Sequence, residues 1–155
     1  MELLTIAFGL GYFTLVRRVD RRLAASALLP VAIGVVGLGL ARVPVDPMGS
    51  PVTVDGAMHL ALVAVSALAA IAAVFLAGLG WRPVRDARGL ARVSFALLAV
   101  MLASGVASGI VGASGWPGIG LSQRINTGAF GLWQVATAVF LLKPGADLCP
   151  SPGAD

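Results

Sequence analysis

The chain reads as an all-α bundle of five transmembrane helices, and three observations predict that class. Hydrophobic residues make up 58% of the 155 residues and charged residues only 12%, where a soluble domain has about a quarter of its residues charged. Mean hydropathy is +0.94. The apolar residues gather into long runs separated by short polar or basic intervals, and a run of roughly 20 apolar residues is what crosses the bilayer core. One helical domain over 1–145 accounts for nearly all of the chain, with a disordered cytoplasmic tail expected over 146–155.

The first span is predicted over 3–16, short for a crossing, and Arg17-Arg18-Val19-Asp20-Arg21-Arg22 stops it. A signal peptide would carry its positive residues before the apolar run; here they follow it. The second span, over 23–41, contains Pro30, which in a membrane helix frees a carbonyl that a neighbour must satisfy. The third, over 54–79, is rich in alanine, and Ala61, Ala69, Ala73 and Ala77 permit close approach of another helix. Trp81 to Arg88 follows as a basic connector, with Trp81 read as an interfacial tryptophan.

The fourth span, over 93–114, carries Ser104, Ser108 and Gly112 at i, i+4, i+8, with Gly105 and Gly109 beside them. That small-residue flank marks it as the expected central packing helix. Gly115-Trp116-Pro117-Gly118-Ile119-Gly120 forms a loop, Ser122 serves as an N-cap, and the fifth span covers 123–142 before Lys143-Pro144-Gly145 ends it.

Charge sets an orientation. With five alternating helices, Arg17, Arg18, Arg21, Arg22, Arg82, Arg85, Arg88, Arg92 and Lys143 share one side, and only Arg42 and Arg124 lie on the other. Positive residues in short loops stay cytoplasmic, so the N-terminus is expected outside and the C-terminus in the cytoplasm. The basic loops would sit against anionic lipid. The net charge of +4 comes without the aromatic interleaving or soluble fold of a nucleic-acid binder, so no nucleic-acid partner is expected. Ten arginines against one lysine, with abundant alanine, glycine and valine, fit a GC-rich bacterial genome and hence a bacterial plasma membrane.

The one polar interval that brings acids and the only histidine together runs from Arg42 to His59. Asp55 and His59 are i and i+4 if the third helix begins near Thr53, and so share a face. Arg124, at the start of the fifth helix and on the same outer side, is the natural countercharge for Asp46 or Asp55. The candidate polar pocket is therefore Asp46, Asp55, His59, Arg124 and Asn126. Ionisable groups near the membrane interior are a site by default; the competing reading makes these residues interfacial caps and loop pairings, and the two carry even weight.

Counting residues narrows the chemistry. One histidine and one cysteine exclude bis-histidine haem, a histidine-rich zinc centre, a CxxC pair and an internal disulfide; no metal and no cofactor is expected. No GxSxG surrounds Ser50 or Ser122, and no acid lies deep in a span to relay protons.

The segment Val43-Pro44-Val45-Asp46-Pro47, the run Thr53-Val54-Asp55-Gly56-Ala57-Met58-His59 opening one span, and Gly120-Leu121-Ser122-Gln123-Arg124-Ile125 opening another with Trp133 inside it, resemble the prokaryotic membrane family named domain of unknown function 998. The resemblance covers about positions 5 to 142. It implies a six-helix fold, of which this chain lacks the first helix, with prominent positions falling on Asp46, His59 and Arg124. A more distant similarity to eukaryotic multi-pass proteins of lipid and membrane homeostasis is an analogy of fold, which carries no function.

Three readings follow. The first is a non-enzymatic membrane protein whose outward pocket binds a lipid headgroup or small amphiphile, with Arg124 on a phosphate or carboxylate and Asp46, Asp55 and His59 orienting it. The second is a lipid-headgroup hydrolase or transferase with His59 as general base, Asp55 orienting it and Arg124 stabilising negative charge. The third is an accessory subunit or homo-oligomer that meets its partner through Gly105 and Gly109.

Overall fold

In a computed structural model, which describes residues 1–47, 49–114, 119–144 and 148, the chain forms five α-helices: α1 (Glu2–Val16), α2 (Arg21–Leu40), α3 (Val54–Trp81), α4 (Arg88–Ser114) and α5 (Ile119–Leu141). A short 3-10 turn, Arg85–Ala87, leads into α4. Among the described residues, three segments are long and apolar enough to cross a membrane, Arg21–Leu40, Val54–Trp81 and Arg85–Gly112, and α1 is a shorter apolar helix.

Local chemistry sets the helix starts. The Asp20 carboxylate accepts from the backbone N–H groups of Arg22 and Leu23, so one residue of the basic stop segment is the N-cap of α2 and the two arginines after it are helical. Thr53 caps α3 by accepting from Gly56 N–H at 3.1 Å. The fifth helix starts earlier than the sequence predicts. Ser122 lies inside α5 and is buried, bonded by Ser108 Oγ at 2.7 Å, so it joins two helices and is no N-cap. Of the loop expected at 115–120, residues 115–118 lie outside the described ones, and Ile119 and Gly120 already belong to α5. α2 runs unbroken through the fully buried Pro30.

Each helix packs against its neighbours in the chain, and α5 returns to touch α1 and α3. Close approaches between α1 and α2 are made by glycines that the alternating small-residue pattern does not single out. A Cβ at Gly9 of α1 would meet Val31 Cγ2 at 2.7 Å, and one at Gly34 of α2 would meet Ile6 Cγ1 at 2.5 Å. α1 and α2 therefore touch backbone to side chain at both points, which only hydrogen-sized groups permit. By contrast a Cβ at Gly105 or Gly109 of α4 meets nothing within 4 Å; these two glycines face away from the bundle. α4 meets α5 through Ser104 and Ser108 instead, and it is α3 that packs against α2, α4 and α5.

The core lies towards the basic end. Tyr12, Trp81 and Trp133 are almost wholly buried. Tyr12 stacks on Trp81 at 6.1 Å between ring centroids, Phe130 stacks on Trp133 at 5.6 Å, and Phe8 meets Trp133 edge-on at 5.8 Å. Such pairs contribute about 0.5–1.5 kcal/mol each beyond area burial. Trp81 is thus a core residue held by Tyr12 and Phe140, not an interfacial one; its place at the last residue of α3 hides that the helix end is covered by α1 and α5. Tyr12 also shares a buried hydrogen bond with Ser26 at 3.0 Å. Of the tail, Leu148 lies half-buried against this core, so the chain returns to the bundle there; the other residues expected to be disordered lie outside the described ones.

Candidate functional site

Towards the end opposite the basic loops, the sequence-predicted polar residues separate into three groups. The first is the connection from α2 to α3. Gly49 takes a φ of +84°, a left-handed conformation that glycine adopts without strain, and Ser50 N–H bonds back to Pro47 O at 3.1 Å. The turn brings the Asp46 carboxylate over the start of α3. There Oδ2 accepts from Thr53 N–H at 2.8 Å and Oδ1 from the Thr53 hydroxyl at 2.8 Å. Both carboxylate oxygens are engaged by Thr53, so Asp46 acts as a clamp on the helix cap. A Cβ at Gly56 would land on this carboxylate; glycine is required there for the clamp to close.

His59 makes a second fastening of the same connection. Its Nδ1 lies 2.9 Å from Val43 O, and since a carbonyl can only accept, Nδ1 carries the proton and donates. The half-buried ring holds the α2 exit against α3. Asp55, four residues earlier, is exposed. Where an Asp55–His59 pair was expected, the imidazole bonds the Val43 carbonyl and Asp55 is exposed.

The second group is a polar seam between α4 and α5. Asn126 Nδ2 donates to Met101 O at 2.9 Å and to Ser104 Oγ at 3.2 Å, and Ser104 Oγ donates to Met101 O at 3.0 Å. With the Ser108–Ser122 bond one turn further out, the seam ties the outer halves of the two helices together. Asn126 therefore joins α4 and is not part of the group around Asp46. Hydrogen bonds between membrane helices contribute about 0.6 kcal/mol on average. Gly112, a turn beyond Ser108, is exposed.

The third group contains Arg124. It lines an open hollow of about 550 Å³ together with Met1, Gly120, Gln123, Thr127, Gly128 and Gly131. The hollow is floored by one face of α5 and closed on one side by the start of α1. From Gly120 to Gly131 it extends about 16 Å along the helix axis, at 1.5 Å per residue. A Cβ at Gly120, Gly128 or Gly131 meets nothing within 4 Å, so the floor is bare backbone. Arg124 lines this hollow, while the Asp46 carboxylate bonds Thr53.

Sequence reasoning missed this hollow because its floor is made of glycines spaced eight and three apart on α5, and the helix was expected to begin after the first of them. The i, i+8, i+11 spacing of Gly120, Gly128 and Gly131 with Arg124 between them is the signal that would have found it.

Five helices, three of them able to cross a bilayer, with an aromatic core towards the basic end and polar seams towards the other, define a helical membrane bundle. The chain belongs to the family described as Protein of unknown function (DUF998), whose model matches residues 2–140, nearly the whole chain. Comparison with curated proteins and with solved structures finds no match.

Proposed function

We propose that this chain is a non-enzymatic, multi-pass protein of the bacterial plasma membrane, with its N-terminus outside and its C-terminus in the cytoplasm, that binds an anionic amphiphile in the hollow beside Arg124. The hollow carries the reading: a guanidinium and the Gln123 and Thr127 side chains near its mouth, above a glycine floor that offers no side chain to fill it. A phosphate or carboxylate headgroup would pair with Arg124, and an acyl chain would lie along Gly128 and Gly131. The excess of basic residues at the opposite end supports the orientation.

In the enzymatic reading His59 is oriented by the Val43 carbonyl through Nδ1, not by Asp55, and Nε2 is the nitrogen that would act as base. The clamp residues Asp46 and His59 shape the outer connection and leave recognition to α5.

The test compares lipids retained through purification in mild detergent, measured by mass spectrometry, for the native chain, Arg124→Ala and Gly128→Leu. Removing one basic group at a membrane surface weakens anionic lipid binding by about 1 kcal/mol, so Arg124→Ala should retain about fivefold less anionic lipid. Gly128→Leu should exclude the chain while the fold survives, since its Cβ enters open space. Unchanged retention in both variants would overturn the proposal.

A further inference from the structure

The second hollow lies at the basic end, where α3 ends and α4 begins. It is an open hollow of about 260 Å³ lined by Arg82, Arg88, Ala91, Arg92 and Phe95, with no carboxylate in its lining. At about 30 Å³ per water molecule it has room for a phosphate group and its ester carbons. Its construction starts at Gly78 of α3, where a Cβ would meet the Phe95 ring at 2.9 Å. The missing side chain gives Phe95 a notch, and Phe75 meets the ring edge-on at 6.4 Å. On the ring so held lies the Arg82 guanidinium, 4.8 Å from the centroid, a cation–π contact that fixes the direction of its donors.

Two further arginines, Arg88 and Arg92, line the same space. Arg88 is the first residue of α4, two residues after Asp86 in the turn that leads into it, at a helix start where the dipole favours an anion. Arg92 follows at i+4, and like charges at that spacing repel by about the amount that opposite charges attract. Three guanidinia line one hollow, one of them seated on a ring, and an anion between them would pair with all three. Arginine forks match phosphate oxygens in pairs, and Ala91 and Phe95 supply the apolar part of the lining.

We propose that this hollow is a binding site for the phosphodiester headgroup of an anionic phospholipid in the cytoplasmic leaflet, with Arg82, Arg88 and Arg92 on the phosphate and Phe95 under the glycerol and first acyl carbons. The site lies at the opposite end of the bundle from the Arg124 hollow and stands independently of it.

The experiment uses the full chain in nanodiscs of phosphatidylcholine doped with phosphatidylglycerol, with bound lipid counted by native mass spectrometry after release. Each arginine removed should weaken retention about fivefold. The Arg82→Gln/Arg88→Gln/Arg92→Gln variant should therefore lose its tightly held phosphatidylglycerol, while Arg17→Gln/Arg18→Gln/Arg21→Gln, which removes the same charge from the same side, should keep it. Phe95→Leu keeps every charge and unseats Arg82, and a severalfold loss is expected from it too. Equal loss in the control triple variant would reduce the hollow to general surface attraction and overturn the site. Displacement of the lipid by millimolar inorganic phosphate would assign the arginines to a soluble anion and overturn the lipid reading. If the triple variant fails to fold, unchanged retention in Phe95→Leu overturns the proposal by itself.

Discussion

The clamp between Asp46 and Thr53 makes a prediction whose sign reverses with background. Asp46 accepts two hydrogen bonds from Thr53 at 2.8 Å each. A hydrogen bond to a charged group contributes about 1.5–3 kcal/mol when well shielded; here Thr53 is exposed and Asp46 half-buried, which places the pair together near the lower figure. Asp46→Ala should cost about 1.5 kcal/mol. Gly56→Ala expels the same carboxylate, because the added methyl occupies its place, but it gains about 0.5 kcal/mol from replacing a helical glycine. Its net cost should be about 1 kcal/mol. With Asp46 already alanine there is no carboxylate to expel, and Gly56→Ala should then stabilise by about 0.5 kcal/mol. The cycle can be measured by unfolding the detergent-solubilised protein in dodecyl sulfate while following the fluorescence of the buried Trp81 and Trp133. A Gly56→Ala penalty that is the same in both backgrounds would refute the clamp. So would a loss of lipid retention in Asp46→Ala without loss of stability, because the carboxylate would then belong to the ligand and not to the loop.

Two further outcomes test the packing. Asn126→Leu removes both bonds to α4 and should cost about 0.6–1.7 kcal/mol in the same unfolding assay, with Ser104→Ala adding little once Asn126 is gone; full additivity would show that the two do not share a seam. Gly105→Ala and Gly109→Ala place methyl groups in open space and should each leave stability unchanged or raise it by up to about 1 kcal/mol; destabilisation, or a change of oligomeric state on gel filtration, would show that another chain covers that face.

The Asp46 and His59 interactions show how one polar interval can be located from sequence and yet be assigned the wrong partners. Acids and a histidine in a loop between apolar runs stand out by composition. Which atom each one meets depends on a backbone turn at Gly49 and on the carbonyl of Val43, neither of which leaves a compositional trace. The same holds for small residues. The serine and glycine rows of α4 are adjacent in sequence, but a rotation of about 100° per residue puts one against α5 and the other outside.

Sequence by itself determined the class of object: apolar runs of the length a bilayer demands, basic intervals on alternate connections, and too few histidines and cysteines for a metal or haem centre. Those are properties of local composition, and lipid selects on composition. Tertiary structure alone decided which glycines admit a neighbour, Gly9, Gly34 and Gly78 rather than Gly105 and Gly109, and that Trp81 closes the core instead of marking an interface. It also decided that Arg124 faces a hollow on α5 while Asp46 holds Thr53. In a membrane helix every face is apolar, so periodicity carries little information on which face turns inward; close packing between helices settles it, and with it the position of every functional side chain.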